Sequence, residues 1–156
     1  MTAVLSLGSN LGDRAAHLAA ALDMLAAEFR IVAVSAIYET APVGVTDQPA
    51  FLNIVALVDS NDADALLDAA HRAEEARGRL RGRRWGPRTL DVDVVNIDGV
   101  RSDEPRLTLP HPRAHERAFV LLPWAELDPD AELPGHGRVA ALLCGLDQSD
   151  VQRWRA

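Results

Sequence analysis

Residues 89–99 read TLDVDVVNIDG, and the alternation of apolar and acidic side chains in this stretch predicts a β-strand followed by a tight turn. Successive side chains of a strand point to opposite faces of a sheet, so Asp91 and Asp93 share one face. The opposite face is apolar and consists of Leu90, Val92 and Val94. The dipeptide Asp98-Gly99 suits a two-residue hairpin turn. We therefore expect a strand over residues 89–97 whose apolar face packs on a core while its acidic face stays open.

Hydrophobic periodicity on either side of this strand predicts the rest of the fold. Strands are expected over residues 3–7, 31–38 and 51–59, which are rich in β-branched and apolar side chains. Apolar residues at helical spacing predict two helices, with the stripes Leu18, Leu22, Leu25 and Phe29, and Ala63, Leu66, Leu67 and Ala70. The order β-α-β-β-α-β predicts an α+β fold with a ferredoxin-like βαββαβ core, in which helices cover one face of an antiparallel sheet. Further helices near residues 116–126 and 138–146 would form a C-terminal helical extension.

Length and composition are those of one compact domain over residues 1–156. Apolar residues make up 48% of the chain, and no apolar run reaches the length of a membrane span. The first residues enter a strand pattern without a basic leader, so we expect a cytoplasmic protein with no membrane partner. The lone cysteine, Cys144, cannot form an internal disulfide, and its apolar neighbours predict a buried side chain.

The densest positive stretch of the chain directly precedes the acidic strand. Seven of the sixteen cationic residues lie there, namely Arg72, Arg77, Arg79, Arg81, Arg83, Arg84 and Arg88. Because the formal net charge is −7, the long-range field of the protein repels nucleic acid, and the local cluster favours a small polyanion. Cations are also favourable near the C-terminus of any helix, so Arg77 and Arg83 are open to that simpler explanation.

All sixteen cationic residues are arginine, and the chain contains no lysine. This composition excludes a P-loop, the strand lysine of a protein kinase and a Schiff-base enzyme, since each of them needs a lysine amine. If the chain binds ATP, it must do so with arginine forks, which match phosphate geometry, and with a metal ion.

The acidic pair is a candidate magnesium site. Same-face neighbours on a strand lie about 6.5 to 7 Å apart, so bare carboxylates at Asp91 and Asp93 would repel each other by roughly 2 to 3 kcal/mol at an effective dielectric near 20. A divalent cation removes this repulsion, and magnesium in phosphoryl-transfer sites takes one or two carboxylates together with phosphate oxygens. The alternative is an ordinary half-exposed strand with two solvated acids. The adjacent arginines favour a magnesium-bound polyphosphate.

Further candidate binding residues lie on three other segments. Phe51 and Asn53 share a strand face and suit a flat heterocycle, although Phe51 is also explained as a core residue. The apolar stripe of the second predicted helix continues into His71 and Glu74, which suit a ribose or a base unless they belong to a fraying helix end. The loop at residues 106–113 supplies hydrogen-bond donors and is stiffened by two prolines, or else it is a purely structural loop.

Four strings, in this order, resemble one enzyme family: LGSNLGD at residues 7–13, TAPVGVTDQPAFLN at 40–53, RWGPRTLDVDV at 84–94 and RLTLPHPR at 106–113. The chain is similar to the 6-hydroxymethyl-7,8-dihydropterin pyrophosphokinases of folate biosynthesis from its first strand to about residue 128. The resemblance implies transfer of pyrophosphate from ATP to the hydroxymethyl group of the pterin, with release of AMP. It also implies two Mg²⁺ ions and a ferredoxin-like scaffold.

The resemblance implies roles for particular residues as well. Asp91 and Asp93 would bind both metal ions, and Arg79 and Arg88 would steady the phosphates during transfer. The pterin would lie between two phenylalanines with an indole closing over it, and its binding positions would be Thr40, Val43, Phe51, Asn53, Trp85 and Phe119. The positions in contact with ATP would be His71, Glu74, Arg81, Trp85, Arg106, Thr108, His111 and Arg117.

Two other functions are open on the sequence. A nucleotidyltransferase also combines Gly-Ser with Asp-x-Asp, but its two motifs are expected close together, whereas Gly8-Ser9 and Asp91 are about eighty residues apart. A nucleotide-sensing module without activity would be expected to lack an aspartate of the pair or one of the residues Phe51 and Asn53, and all are present. Besides ATP and a pterin, we expect no nucleic-acid partner, and we expect a monomer.

Overall fold

The computed structural model describes residues 1–41, 49–78 and 89–155. Its strands are β1 (Thr2–Ser9), β2 (Arg30–Val34), β3 (Tyr38–Thr40), β4 (Phe51–Asp59), β5 (Asp91–Ile97), β6 (Ser102–Glu104), β7 (Leu107–Leu109), β8 (Glu132–Leu133), β9 (Gly137–Arg138) and β10 (Val151–Arg153). Its α-helices are α1 (Arg14–Glu28), α2 (Ala63–Ala76), α3 (Ala118–Leu127) and α4 (Val139–Cys144). Residues Ala114–Glu116 form a turn of 3₁₀ helix.

The main sheet is antiparallel, and its described strands follow the order β10-β3-β4-β1-β5, with β2 also paired to β4. The strand β1 is central and pairs with β4 on one side and with β5 on the other. The α+β class is therefore confirmed. The βαββαβ order is confirmed as well, with β2 and β3 together in the place of the second predicted strand.

The buried side chains of β1, which alternate between the two faces of the sheet, show which helices cover each face. Ala3, Leu5 and Leu7 are buried together with apolar residues of α1 and α2. Val4, which points to the opposite face, is buried together with residues of α3 and α4. The two helices of the ferredoxin-like core thus share one face, as predicted, and the C-terminal extension covers part of the other face.

Acidic N-caps define where the two core helices begin. The carboxylate of Asp13 accepts the Ala16 N–H at 3.1 Å at the start of α1. The carboxylate of Asp62 accepts the Ala65 N–H at 3.1 Å at the start of α2. Each such cap contributes about 1 kcal/mol to helix stability, because it satisfies a backbone donor that the helix itself cannot pair. The buried side of α1 that results consists of Leu18, Ala21 and Leu25.

The predicted strand over residues 31–38 is interrupted in the structure. The strand β2 ends at Val34 and β3 begins at Tyr38. Between them, the Ser35 N–H donates to the Val55 carbonyl at 2.9 Å, and Ser35 Oγ accepts the Val55 N–H at 3.0 Å. A serine side chain thus takes the place of a backbone acceptor, and the regular ladder stops where it does so.

The C-terminal part differs from the sequence expectation in two ways. Cys144 is exposed, so the prediction of a buried side chain was wrong. The reason is that α4 is short and buries only Val139 and Leu143. The strand β10, which pairs with β3 and adds an edge strand to the sheet, was not predicted from the sequence. Over the ranges that the structure describes, no helix is both long enough and apolar enough to cross a membrane.

Candidate active site

The pairing register of β1 brings two predicted binding elements onto one face of the sheet. Gly8 is paired with Asn53 of β4 on one side and with Asp91 of β5 on the other. Directly paired residues of antiparallel strands lie side by side on the same face. Since strands are spaced by about 4.8 Å, the backbones of Asn53 and Asp91 lie about 10 Å apart with only a glycine between them. Two residues earlier on β1, Ser6 is paired with Asp93 and continues the acidic row.

The acidic pair lies on the open face of β5, as the alternation of the sequence predicted. Asp91 and Asp93 are half-buried, whereas Val92 and Val94 are buried on the opposite face. Nη1 of Arg117 lies 3.8 Å from Oδ2 of Asp93. The two carboxylates are therefore accessible from the sheet face, and a guanidinium group lies beside one of them.

The donor set on β5 fits a metal ion that protein and substrate hold jointly. Within residues 1–41, 49–78 and 89–155, no group of three or more histidine, cysteine, aspartate or glutamate side chains is arranged to hold a metal. Asp91 and Asp93 supply only carboxylate oxygens, which are hard ligands. In phosphoryl-transfer sites Mg²⁺ keeps several waters and takes phosphate oxygens in addition to one or two carboxylates. A magnesium–polyphosphate complex therefore fits this pair better than a metal bound by protein alone.

Glu74 of α2 anchors the acidic strand. The residue is 3% exposed, and its Oε2 accepts the Val92 N–H at 3.0 Å. Among the described strands β5 is at the edge of the sheet, and a buried backbone N–H without a strand partner needs another acceptor. Glu74 supplies that acceptor at the residue between Asp91 and Asp93. The contact gives Glu74 a structural role, whether or not it also contacts ATP as the resemblance implies.

Asn53 is held in place on the other side of Gly8. It is 4% exposed, and its Nδ2 donates to Oγ1 of Thr40 at 2.7 Å. A Cβ atom built on Gly8 would lie 2.8 Å from Oδ1 of Asn53 and 3.5 Å from Cδ1 of Phe51. Any side chain at position 8 would therefore displace the amide. The absence of a side chain leaves a space that is bordered by the two residues predicted to bind a flat heterocycle.

The helix α3 carries the second predicted aromatic plate. Phe119 is half-buried and packs on the core cluster that contains Val55, which points to the same sheet face as the site. Cζ of Arg117 lies 5.7 Å from the centroid of the Phe119 ring, within the range of a cation–π interaction. Arg117 thus contacts the aromatic plate and lies beside Asp93. Phe51 and Phe119 belong to the same face of the sheet.

His111 is a neutral hydrogen-bonding group beside the acidic pair. Its backbone N–H donates to the Val95 carbonyl at 2.8 Å, and its Nδ1 accepts the Arg113 N–H at 3.2 Å. Burial lowers the pKa of His111 to about 4, the cations Arg117 and Arg113 act in the same direction, and the carboxylate of Asp91 opposes them. Because Nδ1 accepts a hydrogen bond, Nε2 carries the proton at neutral pH. This N–H group is a donor that suits a phosphate oxygen.

We expect His111 to make the metal-free protein less stable as the pH falls. The unfolded chain protonates histidine near pH 6.5, whereas the pKa of folded His111 is about 4. The contribution of neutral His111 to the free energy of unfolding is therefore complete above about pH 6.5, and it is lost as the pH falls toward the pKa of the folded state. In EDTA, the melting temperature should fall less between about pH 7 and pH 5 in His111→Gln than in the unmodified protein. His71→Gln, at an exposed histidine of α2, is the control in this substrate-free measurement. Equal pH dependence with and without His111 would contradict the prediction.

The family model described as 7,8-dihydro-6-hydroxymethylpterin-pyrophosphokinase (HPPK) matches residues 4–129 of the chain. The chain belongs to this family. The matched residues include the site face of the sheet and helix α3, so the pyrophosphokinase family shares the part of the chain that carries the acidic pair, Asn53 and Phe119.

Individual pyrophosphokinases are similar over nearly the whole chain. The 2-amino-4-hydroxy-6-hydroxymethyldihydropteridine pyrophosphokinase of Methylorubrum extorquens is 47% identical over 154 residues, which cover 97% of each protein. The enzyme of the same name from Mycobacterium leprae is 49% identical over 162 residues, which cover 94% of this chain and 84% of the relative. A crystal structure of Plasmodium falciparum HPPK-DHPS matches 92% of this chain with a TM-score of 0.71 at 15% identity. This chain spans 45% of that solved chain, and the likeness shows the shared fold.

Among the described residues, no contact with Asp91, Asp93 or Asn53 is seen for three of the positions predicted to bind ATP, which are Arg106, Thr108 and His71. Arg106 is exposed, and its guanidinium pairs with Glu104 at 2.8 Å and with Asp64. Oγ1 of Thr108 donates to the Glu104 carbonyl at 3.1 Å, and His71 is exposed on α2. Their contacts with ATP stay predictions. Outside the described residues lie five further predicted site residues, Val43, Arg79, Arg81, Trp85 and Arg88.

No role for Gly8 was predicted from the sequence, and the structure places this glycine between Asn53 and Asp91 in the sheet. A signal was available, because a glycine inside a strand often marks the close approach of a ligand or of another group. What the sequence lacked was the register that places this glycine between Asn53 and Asp91.

Replacing Gly8 by alanine should raise the KM for the pterin by about tenfold or more, because a displaced Asn53 amide would leave a polar group of the bound pterin unpaired, which costs about 1 to 3 kcal/mol. The new methyl group would displace the Asn53 amide, whose Oδ1 lies 2.8 Å from the position of the added Cβ. Steady-state kinetics with varied pterin at saturating ATP measure the effect. Gly145→Ala is the matched control, since a Cβ there would meet nothing nearer than 3.6 Å. An unchanged KM for the pterin in Gly8→Ala would contradict the prediction that the space beside Gly8 belongs to the pterin site.

Proposed function

We propose that the reaction of the pyrophosphokinase family takes place in this chain on the sheet face between Asn53 and Asp91. Family membership assigns the reaction, which transfers pyrophosphate from ATP to the hydroxymethyl group of 6-hydroxymethyl-7,8-dihydropterin in folate biosynthesis. The observation that supports the location is the pairing of Gly8 with both residues. Because of this pairing, Asn53, which suits the pterin, and Asp91, which suits magnesium–ATP, lie about two strand spacings apart, or about 10 Å.

On the pterin side, Asn53 reads the edge of the ring. Its amide has one donor engaged by Thr40, so its orientation is fixed before the pterin arrives. Oδ1 borders the space above Gly8 and can accept from the N–H groups of the pterin edge. Phe51 and Phe119 supply the plates on which the ring stacks, and each aromatic pair of this kind contributes about 0.5 to 1.5 kcal/mol beyond its buried area.

On the nucleotide side, donors and acids are interleaved. Arg117 and the Nε2–H group of His111 lie beside the acidic pair and suit the oxygens of the β- and γ-phosphates. Asp91 and Asp93 would hold two Mg²⁺ ions, in agreement with the hard oxygen ligands that they provide. When bound, magnesium neutralises phosphate charge and orients the transferred group. Arg79 and Arg88 are assigned to the same phosphates by the resemblance of the sequence.

Positioning accounts for most of the catalysis in this proposal. The pterin hydroxyl attacks the β-phosphorus in line, its bond to phosphorus forms as the bond to the AMP oxygen breaks, and AMP leaves. Among the described residues of the site face, His111 is the histidine beside the acids, and its pKa of about 4 makes it a weak base at neutral pH. The protein therefore aligns the hydroxyl and the phosphate and stabilises the developing charge, while the hydroxyl proton passes to solvent water as the new bond to phosphorus is completed.

Product analysis tests the reaction. The protein is incubated with ATP, Mg²⁺ and 6-hydroxymethyl-7,8-dihydropterin, and the adenine products are separated by chromatography. We expect AMP and the pterin diphosphate in equal amounts, and neither product when the pterin or Mg²⁺ is omitted. Release of inorganic pyrophosphate with nucleotide attached to the acceptor would instead indicate attack at the α-phosphorus, as in a nucleotidyltransferase. ATP binding without any product would indicate a sensing module.

We also propose that the chain is a monomeric, single-domain enzyme of the cytoplasm without a nucleic-acid partner. The match of one family to residues 4–129 supports a single domain. The formal net charge of −7 disfavours nucleic acid as a partner. Light scattering over a range of protein concentrations tests the monomer, for which the mass should stay that of one chain.

A further inference from the structure

The carboxylate of Glu126, near the end of α3, fills the break between β2 and β3. Its Oε2 accepts the Ala36 N–H at 3.0 Å, and its Oε1 accepts the hydroxyl of Tyr38. Nη2 of Arg153, in β10, lies 3.5 Å from Oε1. Ala36 lies between the two strands, and Tyr38 is the first residue of β3. The last turn of α3 is therefore joined to the segment that begins β3 through both a backbone and a side-chain donor.

Glu126 is the charged acceptor of this contact. Burial acts to raise the pKa of Glu126, but the hydrogen bonds from Tyr38 and Ala36 and the charge of Arg153 outweigh it, so the pKa lies below its usual value. The pKa of Tyr38 is raised by burial and by the hydrogen bond to Glu126. At neutral pH a tyrosine hydroxyl therefore donates to a carboxylate, and hydrogen bonds of this charged kind are about twice as strong as those between neutral groups.

Tyr38 lies directly beside the residue that is proposed to read the pterin edge. The register of β3 and β4 pairs Tyr38 with Asn53, and the register of β1 and β4 pairs Asn53 with Gly8. Directly paired residues share a face of the sheet, so the tyrosine ring and the amide are neighbours on the face of the candidate site. Tyr38 is 8% exposed, and two residues further along β3 the hydroxyl of Thr40 accepts from the Asn53 amide. Two side chains of β3 therefore border Asn53.

The helix at the other end of the contact carries the second aromatic plate. Phe119 lies in the first turn of α3, and Glu126 lies in its last turn. Among the described residues, no side chain caps the start of this helix. Pro123, inside the helix, also lacks the N–H that would donate to the Phe119 carbonyl. Hydrogen bonds within α3 therefore hold its first turn only in part, and the position of the helix on the sheet depends on its packing and on the contacts of Glu126.

We propose that Tyr38 and Glu126 are positioning residues for the pterin. Their hydrogen bond fixes Phe119, through α3, relative to Asn53. The inference rests on the proposed binding of the pterin between Phe51 and Phe119 with its edge at Asn53. Without the hydrogen bond, α3 shifts on the sheet, and stacking and edge recognition no longer fit one ring at the same time. Tyr38 and Glu126 act through these neighbours and not by contact with the pterin.

Steady-state kinetics of conservative variants test the proposal. Tyr38→Phe keeps the ring and removes the hydroxyl, and it should raise the KM for the pterin at saturating ATP about five- to tenfold, as expected for loss of one hydrogen bond to a charged group. The KM for ATP should change less than about threefold, because Asp91, Asp93 and His111 do not lie on α3 or β3. Glu126→Gln keeps a hydrogen-bonding partner for the Tyr38 hydroxyl, so the KM for the pterin should stay within about threefold of the unmodified protein.

A double-mutant cycle with the aromatic plate separates positioning from simple destabilisation. In a Phe119→Ala background, Tyr38→Phe should change the KM for the pterin by less than about twofold, because no plate is left to position. Val139→Ala is the control for stability, since Val139 is fully buried in the core cluster that also contains Val120 of α3. This control should lower the melting temperature and leave the KM for the pterin within about twofold of the unmodified protein.

Three results would overturn the proposal: an unchanged KM for the pterin in Tyr38→Phe, an equal rise of this KM in Val139→Ala, or the full effect of Tyr38→Phe in the Phe119→Ala background. Turnover of the unmodified protein is measured first, and absence of AMP and pterin diphosphate would contradict the proposed function instead. Calorimetry of pterin binding in the presence of Mg²⁺ and a nonhydrolysable ATP analogue then tests the same variants without turnover. We expect the same fold-changes in the Kd for the pterin, and an unchanged Kd in Tyr38→Phe would overturn the positioning role.

Discussion

Replacing Asp91 and Asp93 together by asparagine should lower turnover by at least about 10³-fold, because metal-assisted stabilisation of phosphate charge contributes several kcal/mol to such reactions and each 1.4 kcal/mol is tenfold in rate. Over the described ranges, no other group of acids, histidines or cysteines is arranged to take over a metal. The fold should persist, since both side chains are half-buried, asparagine has the same size, and two like charges are removed. Turnover is measured as AMP released at saturating substrates, and folding is measured by thermal melting.

The control for this pair is Asp103→Asn, which removes an exposed carboxylate from β6 and should leave turnover within about twofold of the unmodified protein. Pterin binding without ATP should survive the double substitution, because Asn53 and its Thr40 partner are untouched. Turnover within tenfold of the unmodified protein would show that the metal is held elsewhere, and the location that we propose for the reaction would then be wrong.

Replacing Asn53 by leucine should raise the KM for the pterin by at least about 100-fold, because a site built to hydrogen-bond a ligand discriminates strongly once the partner group is gone. Leucine fills a similar volume but neither donates to Thr40 nor accepts from the pterin edge. ATP binding should be unchanged, since the nucleotide lies on the far side of Gly8 in our proposal. Steady-state kinetics with varied pterin and calorimetry with a nonhydrolysable ATP analogue measure the two effects.

The chain offers a closely matched control for this substitution. Asn96 lies in β5 of the same sheet and, like Asn53, is 4% exposed. In the part of the chain that the structure describes, its Oδ1 has no hydrogen-bond partner, and Asn96 is not among the residues proposed to bind the pterin, so Asn96→Leu should leave the KM for the pterin unchanged. A similar increase of KM in both variants would show that loss of a buried amide, not loss of a pterin contact, is responsible.

Elements set by local periodicity could be predicted from the sequence, and elements set by distant partners could not. The strand over residues 51–59 is observed with the predicted bounds, and the acidic strand differs from its prediction by two residues at one end. The break after Val34 depends on the contact of Ser35 with Val55, which is twenty residues away. The short strand β10 forms only because β3, more than a hundred residues earlier, offers it an edge. Neither of these long-range contacts produces a periodic pattern in the sequence.

In the candidate site too, the residue types could be predicted from the sequence, whereas the arrangement of those residues in space could not. The strand period placed Asp91 and Asp93 together on one side of their strand, and it placed Phe51 and Asn53 together on one side of theirs. The position of Gly8 between the two groups follows from the registers of two strand pairings, which no local pattern encodes. The contact of Glu74 with the Val92 N–H is a second example, because it depends on how α2 packs under the edge of β5.

The bare backbone at Gly8 has a consequence for inhibitor design. In the proposed site, a compound that stacks between Phe51 and Phe119 and extends a small group toward this glycine would contact a position where an added Cβ would lie 2.8 Å from Asn53 Oδ1 and force the amide to shift. We expect a substitution at Gly8 that excludes such a compound to weaken binding of the pterin as well. Resistance without loss of activity is then expected at other residues.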